Sequence, residues 1–325
     1  MTVPRIGVTL GDPGGIGPEV VLKTLSGPSA LPPAAYVLFA DARIVEAAVK
    51  RFGLRFEARE GQPGSPPSPG VFLIDVPAAA GETVPGRVTA EGGEASFGFF
   101  EAAVAEARGG RLDAVATAPI SKAAWALAGR PFRGHTDYLA QFYPGAIMSF
   151  WSDRLKVALL SHHLSLREAV EAVRKDILVD FFRALHRALG RIPGGPFELL
   201  VAGLNPHAGE DGGLGREEED EIRPAVETLR REGVPVQGPF PADTVFLKAL
   251  GKKETVVVAL YHDQGLIAFK LVAFASGVNA TLGLPFVRTS PDHGTAFDIA
   301  GKGVADPRSM EAAVRLAAAF SATGS

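Results

Sequence analysis

The 325-residue chain has no cysteine, which removes disulfides, thiolate metal ligands and a thiol nucleophile together. Any metal chemistry must therefore rest on imidazole and carboxylate. No run of eighteen apolar residues occurs, so no membrane span is expected. Residues 1–10 run straight into a strand-like segment without the charged, apolar and small-residue succession of a signal peptide. A cytoplasmic protein is the expectation. A basic excess is also missing: the net charge is −3, which argues against a general nucleic-acid binder. An anionic ligand must meet a local basic pocket. Amides are scarce, with two Asn and four Gln, and Arg outnumbers Lys 23 to 10. A thermophile avoiding labile side chains and a GC-rich genome both give that pattern.

What is present is an ordinary globular composition, 46% hydrophobic and 21% charged. The length suits two lobes with a cleft between them as the expected active site. Short apolar runs at 6–10, 35–40, 113–117, 156–161, 199–204 and 255–261 alternate with amphipathic stretches at 95–108, 166–174, 178–189 and 217–232. Strand-helix alternation of this kind predicts an α/β fold with mainly parallel sheets. Ser165 followed by Glu168 predicts a capping box. The proline-rich stretch 61–70 predicts an exposed loop. The acidic run Glu217 to Glu221 reads as a solvated helix start, and His186 as a helix-face residue.

Three of the expected strands deliver histidine at or just after their carboxyl ends: His162 and His163, then His207, then His262. Ligands of open α/β sheets bind at those ends, and three neutral imidazoles with an open position make a recurrent divalent-metal site. His162 and His163 compete for the first place. GDPGGIGPE at 11–19 is neither a dinucleotide-binding nor a P-loop motif. It reads either as a close approach to a ligand or as a tight structural turn. Lys270, Asn279 and Arg288 lie in apolar segments, where a cation wants an anionic partner. The segment 290–303 packs glycines, aspartates and His293 into one loop.

GDPGGIGPE, TAPISK (117–122), GHTDYLA (134–140), GLNPHAGE (203–210), PADT (241–244), YHDQG (261–265) and GVNATLGLPFVRTSPDHGTAFDIAGKG (277–303) together resemble the 4-hydroxythreonine-4-phosphate dehydrogenase family of pyridoxal phosphate biosynthesis. The resemblance covers nearly the whole chain. It implies NAD- or NADP-dependent oxidation at C3 of the phosphorylated substrate, then loss of CO₂ to give 3-amino-2-oxopropyl phosphate. A sister activity on 4-phosphothreonate or 4-phosphoerythronate is the alternative. It further implies one divalent ion (Zn, Co or Mg) on His163, His207 and His262, and substrate contacts from His135, Thr136, Lys270, Asn279 and Arg288. The proton acceptor would be Asp243, Asp263 or Lys270. The loop His293-Gly294 to Asp298 and Gly301 looks like the cofactor loop of isocitrate and isopropylmalate dehydrogenases. That likeness implies their two-lobed fold, with residues 1–128 and 272–325 in one lobe and 129–271, carrying the metal ligands, in the other. Homodimers with shared active sites are implied as well. Where the family has His-x-Pro-Leu at the first ligand, this chain reads His163-Leu164-Ser165-Leu166.

Overall fold

A computed structural model of the chain describes residues 3–27, 31–61, 68–78, 84–274 and 276–322. Residues 62–67 of the proline-rich stretch lie outside the described residues. The strands are β1 (Arg5–Thr9), β2 (Ala35–Ala40), β3 (Arg59–Glu60), β4 (Gly70–Asp75), β5 (Ala114–Thr117), β6 (Ile147–Trp151), β7 (Lys156–Leu159), β8 (Glu198–Ala202), β9 (Val236–Phe240), β10 (Thr255–Ala259), β11 (Val278–Leu282) and β12 (Val287–Pro291). The chain forms two compact units, Met1–Pro144 with Leu284–Ser325, and Gly145–Gly283. Residues 129–144 and 272–283 thus group differently from the lobes drawn from sequence.

In the first unit the strand order is β3-β4-β2-β1-β5-β12, and every pairing is parallel. Parallel strands are covered on both faces, so they read as short continuous apolar runs. Ala114–Thr117 is buried at every position, and the helices Ala90–Arg108 and Arg308–Ser321 pack on β5 and β1. The Thr89 side chain accepts from Gly92 N at the start of the first of these helices, a standard N-cap.

In the second unit the order is β11-β6-β7-β10-β8-β9, with β6 antiparallel to both its neighbours and the rest parallel. Its core joins Phe150, Leu155, Leu200, Val245, Val257 and Phe269. Strand β10 lies between β7 and β8 and runs parallel to both, so the carboxyl ends of all three share one edge. The helix Leu166–Glu171 opens with the expected capping box of Ser165 and Glu168. Ser165 N donates to Glu168 Oε2 at 2.8 Å, a bond that proline could not make. The local turn therefore has its own support where the family has proline.

Candidate functional site

One group of candidate residues is buried within the first unit. Arg288 of β12 is 4% exposed, and its Nε and Nη2 donate to Thr117 Oγ1 at 3.1 and 2.8 Å. Thr117 ends β5 and donates in turn to Thr289 O at 3.3 Å. Arg288 Nη2 also reaches His135 Nδ1 at 3.0 Å. Burial pushes the guanidinium down to about 10, which still leaves it charged at neutral pH. His135 opens the short helix His135–Ala140 after Gly134, whose φ is 141°. Its ring packs against Phe100 (centroids 4.4 Å apart) and edge-on to Trp125 (5.6 Å). Burial first, and Arg288 second, hold the His135 pKa well below the ordinary imidazole value. Guanidinium can only donate, so Nδ1 accepts and the neutral ring carries its proton on Nε2. That Nε2 is buried without a hydrogen-bond partner. A buried N–H left so is costly, and an anionic ligand oxygen would satisfy it. Thr136 is half-buried one residue further on.

The glycine-rich segments of this unit interlock. Ile16 N donates to Thr295 O at 2.9 Å and Gly86 N to Gly14 O at 2.8 Å. A Cβ on Gly14 would stand 2.4 Å from Arg87 O, and one on Gly15 2.9 Å from Thr295. The glycines of 11–17 thus serve close packing on the chain's own backbone, which favours the structural-turn reading. A pocket of about 300 Å³ is lined by Pro13, Gly15, Arg43, Arg51, Pro85 and Gly301, the size of a small ligand site. Gly301 has φ 77°. In the same loop Gly294 and Asp298 are exposed, and His293 Nδ1 faces Gly294 O at 3.1 Å while its Nε2 is buried without a partner.

The histidines belong to the second unit. Strand β7 stops at Leu159, so His162 and His163 sit on a bend, and strand alternation does not separate them. Their rings meet edge-on at 4.8 Å, and His163 lies 6.4 Å from His262 between centroids. Burial, then His163 and His262, lower the His162 pKa; its Nδ1 is buried without a partner. His262 opens the helix His262–Ala273, and its Nδ1 lies 2.6 Å from Asp263 Oδ1. His207 Nδ1 lies 2.5 Å from Glu210 Oε1, and that bond, with Asp243 adding a weaker pull, raises its pKa. Lys270 is half-buried on the helix that His262 begins. Asn279 of β11 has a buried Oδ1 with no partner.

His207 sits in an unusual backbone. Residues His207, Ala208, Gly209, Glu210 and Asp211 all have positive φ, from 43° to 84°. Gly212 continues the run at 91°; left-handed turns cost about 1–2 kcal/mol per non-glycine residue, so a run holding four of them must be held by its surroundings. Part of that hold is Glu218, which is 0% exposed, and this corrects the reading of 217–221 as a solvated helix start. Its Oε1 accepts from Leu204 N and Asn205 N, both at 2.7 Å, and its Oε2 from Asn205 Nδ2 at 2.9 Å. Gln264 Nε2 donates to Gly203 O at 2.7 Å, tying the His207 loop to the helix that His262 begins.

Among the described residues no group of three or more His, Asp or Glu side chains is placed to hold one metal ion. The structure draws His162, His163 and His262 together but does not bring His207 into that group within this chain. The donor chemistry nevertheless fits a divalent ion: a carboxylate on Nδ1 of both His207 and His262 is the usual backing of a metal-ligating imidazole and leaves Nε2 as the ligand atom. Thr117, Glu210 and Gln264 stand within the motifs at 117–122, 203–210 and 261–265, while Glu218 lies eight residues past the second; motif chemistry alone marks none of them. An acid three residues after His207 was the visible signal for Glu210.

The family described as "Pyridoxal phosphate biosynthetic protein PdxA" matches residues 33–317. The chain is 40% identical over 323 residues to a 4-hydroxythreonine-4-phosphate dehydrogenase of Desulforapulum autotrophicum, covering 97% of this chain and 95% of that one. It is also 40% identical over 320 residues to a D-threonate 4-phosphate dehydrogenase of Cupriavidus necator, covering 96% of each. The crystal structure of a 4-hydroxythreonine-4-phosphate dehydrogenase from Klebsiella pneumoniae superposes with a TM-score of 0.85 at 39% identity, over 98% of this chain and 99% of that one. The mainly parallel α/β fold is thus a shared one, and the chain belongs to the PdxA family of pyridoxal phosphate biosynthetic proteins.

Proposed function

We propose that the chain oxidises 4-phosphohydroxy-L-threonine at C3 with NAD or NADP and then decarboxylates the product to 3-amino-2-oxopropyl phosphate. The observation that carries this reading is the buried Arg288–His135 pair. It offers a charged guanidinium and an N–H without a protein acceptor, in a family whose named members act on 4-phosphorylated hydroxy acids. In this reading Arg288 and His135 bind an anionic group of the substrate, with Thr117 fixing the guanidinium plane. Thr136, Lys270 and Asn279 add polar contacts, and the orphaned Asn279 Oδ1 suits a substrate N–H or O–H. Asp243, Asp263 or Lys270 takes the C3 hydroxyl proton. His163, His207 and His262 hold a divalent ion, Zn, Co or Mg. When bound, that ion would stabilise negative charge on substrate oxygen and a nicotinamide would supply the hydride acceptor. His293, Gly294, Asp298 and Gly301 hold the cofactor beside the 300 Å³ pocket. We assign the activity to the cytoplasm. No described helix is long and apolar enough to cross a membrane.

The decisive assay follows reduced-cofactor absorbance with 4-phosphohydroxythreonine, 4-phosphoerythronate and 4-phosphothreonate, each with NAD and with NADP. Fastest turnover of the first, with CO₂ released, is expected. Preference for 4-phosphothreonate would favour the second reading, which the 40% identity to the Cupriavidus enzyme supports equally. Activity on none of the three would sink both.

The active species in this reading is a homodimer whose two chains share each site. Ile267, Leu271 and Phe274 are 62%, 85% and 79% exposed and fall on one face of the helix that begins with His262. An apolar stripe of that kind marks an interaction surface. Sedimentation should show a dimer, with Leu271→Glu monomeric and inactive; a native monomer that turns over would contradict this.

A further inference from the structure

We propose that Glu218 is a positioning residue that holds the left-handed turn at 207–211 and so orients the His207 imidazole toward its ligand. The inference rests on the reading of His207 as a metal ligand and extends it to a residue that touches neither metal nor substrate. Five acids follow one another at 217–221, and they divide: Glu217 accepts from Asn205 Nδ2 at 2.7 Å. Glu219, Asp220 and Glu221 pair outward with Arg223, Arg216 and Arg174. Glu218 turns inward and is wholly buried, where a carboxylate is tolerated only if hydrogen bonds replace its hydration. It collects Leu204 N, Asn205 N and Asn205 Nδ2, all from the segment that enters the His207 turn.

The fit is tight on every side. A Cβ on Gly209, at the middle of the turn, would stand 2.8 Å from Glu218 Oε2, and one on Gly203 3.2 Å from Oε1. A Cβ on Gly215, past the end of the turn, would stand 2.4 Å from Asn205 Nδ2. The carboxylate therefore fills a cradle whose walls are the backbone on both sides of His207. Glu218 itself opens a π-helical turn, Glu218–Ile222, a rare irregularity frequent at functional sites. Asn205 carries the link outward, since its Nδ2 bonds Glu217 as well, at 2.7 Å. The turn carries the short-range bonds of a 3₁₀ element, Pro206–Gly212, and at its ends Ala208 N donates to Asn205 O, Gly213 N to Glu210 O and Leu214 N to Gly209 O. Its first anchor, Asn205, is the residue Glu218 grips.

The test compares full-length native protein with Glu218→Gln, which keeps the shape but sets an amide donor against Asn205 Nδ2. Cobalt(II) titration, read by visible absorbance, should show affinity weakened about 10- to 100-fold, the usual effect of losing a group that orients a ligand, with a changed ligand-field spectrum. Glu19→Gln is the control: Glu19 is as buried and accepts from Ala305 N and Lys23, so it loses stability without losing cobalt affinity. Amide exchange without metal should rise at Ala208, Gly213 and Leu214 in Glu218→Gln and stay unchanged in β8. Should Glu218→Gln not fold, Asn205→Ala removes the side-chain bond from Asn205 Nδ2 to Glu218 and is read in the same way. Native cobalt affinity or unchanged exchange in the variant overturns the proposal. Failure of the native protein to bind cobalt removes the three-histidine site instead, and the exchange data then decide whether Glu218 holds the turn.

Discussion

The two sets of functional side chains differ in how much of their geometry the folded chain has already fixed. In the first unit, Arg288, Thr117 and His135 are buried, Arg288 bonds both of the others, and Arg288 and Thr117 stand on two paired strands. In the second, His207 is 67% and His262 42% exposed, and each leans on a carboxylate from its own loop or helix. Burying a cation costs several kcal/mol unless its partners are aligned, so an anion that meets Arg288 finds the desolvation already met by folding. An exposed imidazole has no such cost and no such order. It is fixed only when a third group claims its free nitrogen. On the proposed reading, anion recognition is built into the fold, while the histidines would be ordered by an ion, a second chain or both.

The largest effect that could break this contrast is loss of a histidine. His163→Ala, His207→Ala and His262→Ala should each lose tightly bound metal and reduce turnover by more than ~100-fold, beyond the 10- to 100-fold typical of changes one shell further out. His186→Ala, on the helix Lys175–Leu189, should retain both. Since the histidines are set outside the core, all three variants should melt close to the native temperature. Plasma emission analysis of metal content and calorimetric melting check both halves of the statement. His162→Ala adds a sharper arm, because its ring touches His163: metal lost there but kept in His163→Ala would exchange their roles.

Arg288→Ala should show the opposite signature, with binding and stability falling together while metal content holds. Removing a buried charge-assisted contact costs about 2–5 kcal/mol, which is roughly 30- to several-thousand-fold in KM. Thr117 Oγ1 and His135 Nδ1 lose their donor as well, at about 1–3 kcal/mol of stability. Arg288→Lys keeps a charge but cannot fork to both partners and should fall between. A native KM in Arg288→Ala would show that the buried pair is structural only.

Much of this was legible from periodicity and motif. The run 35–40 is a strand residue for residue, and β7, β8 and β10, which precede His163, His207 and His262, run parallel with their carboxyl ends at one edge. What escaped was decided by segments far apart in sequence. An acidic residue at a helix start reads alike whether it faces solvent or core; Glu218 faces inward because Gly203 and Gly209 leave room for its carboxylate. The neighbouring histidines could not be told apart by strand alternation, since β7 ends at Leu159, three residues before His162, and Ser161 Oγ donates to Leu260 O at 2.8 Å. Thr117 was visible only as part of a motif, because its role depends on β12 pairing beside β5.

The smallest effect concerns the buried unit alone and is read as a slope against pH. Asp12, in the turn after β1, is wholly buried; its Oδ1 accepts from Gly14 N at 2.9 Å, and its Oδ2 has no partner. Burial, opposed weakly by the Gly14 bond, pushes its carboxyl up to about 6 from 3.8. A folded pKa above the unfolded one means that folding favours the protonated form. The associated stability is complete below about pH 4 and is lost as the pH rises through about 6. A shift of that size corresponds to roughly 3 kcal/mol, a few degrees of melting temperature in a chain this long. Asp12→Asn is neutral throughout, so the native melting temperature measured relative to it should fall between pH 4 and pH 7. The same comparison in His207→Ala, whose ring is exposed and lies outside that turn, should keep the native slope. A native-minus-Asp12→Asn difference that stays flat across that range would mean that the carboxyl meets water or a cation in solution, and the first unit would then be less dry than its geometry implies.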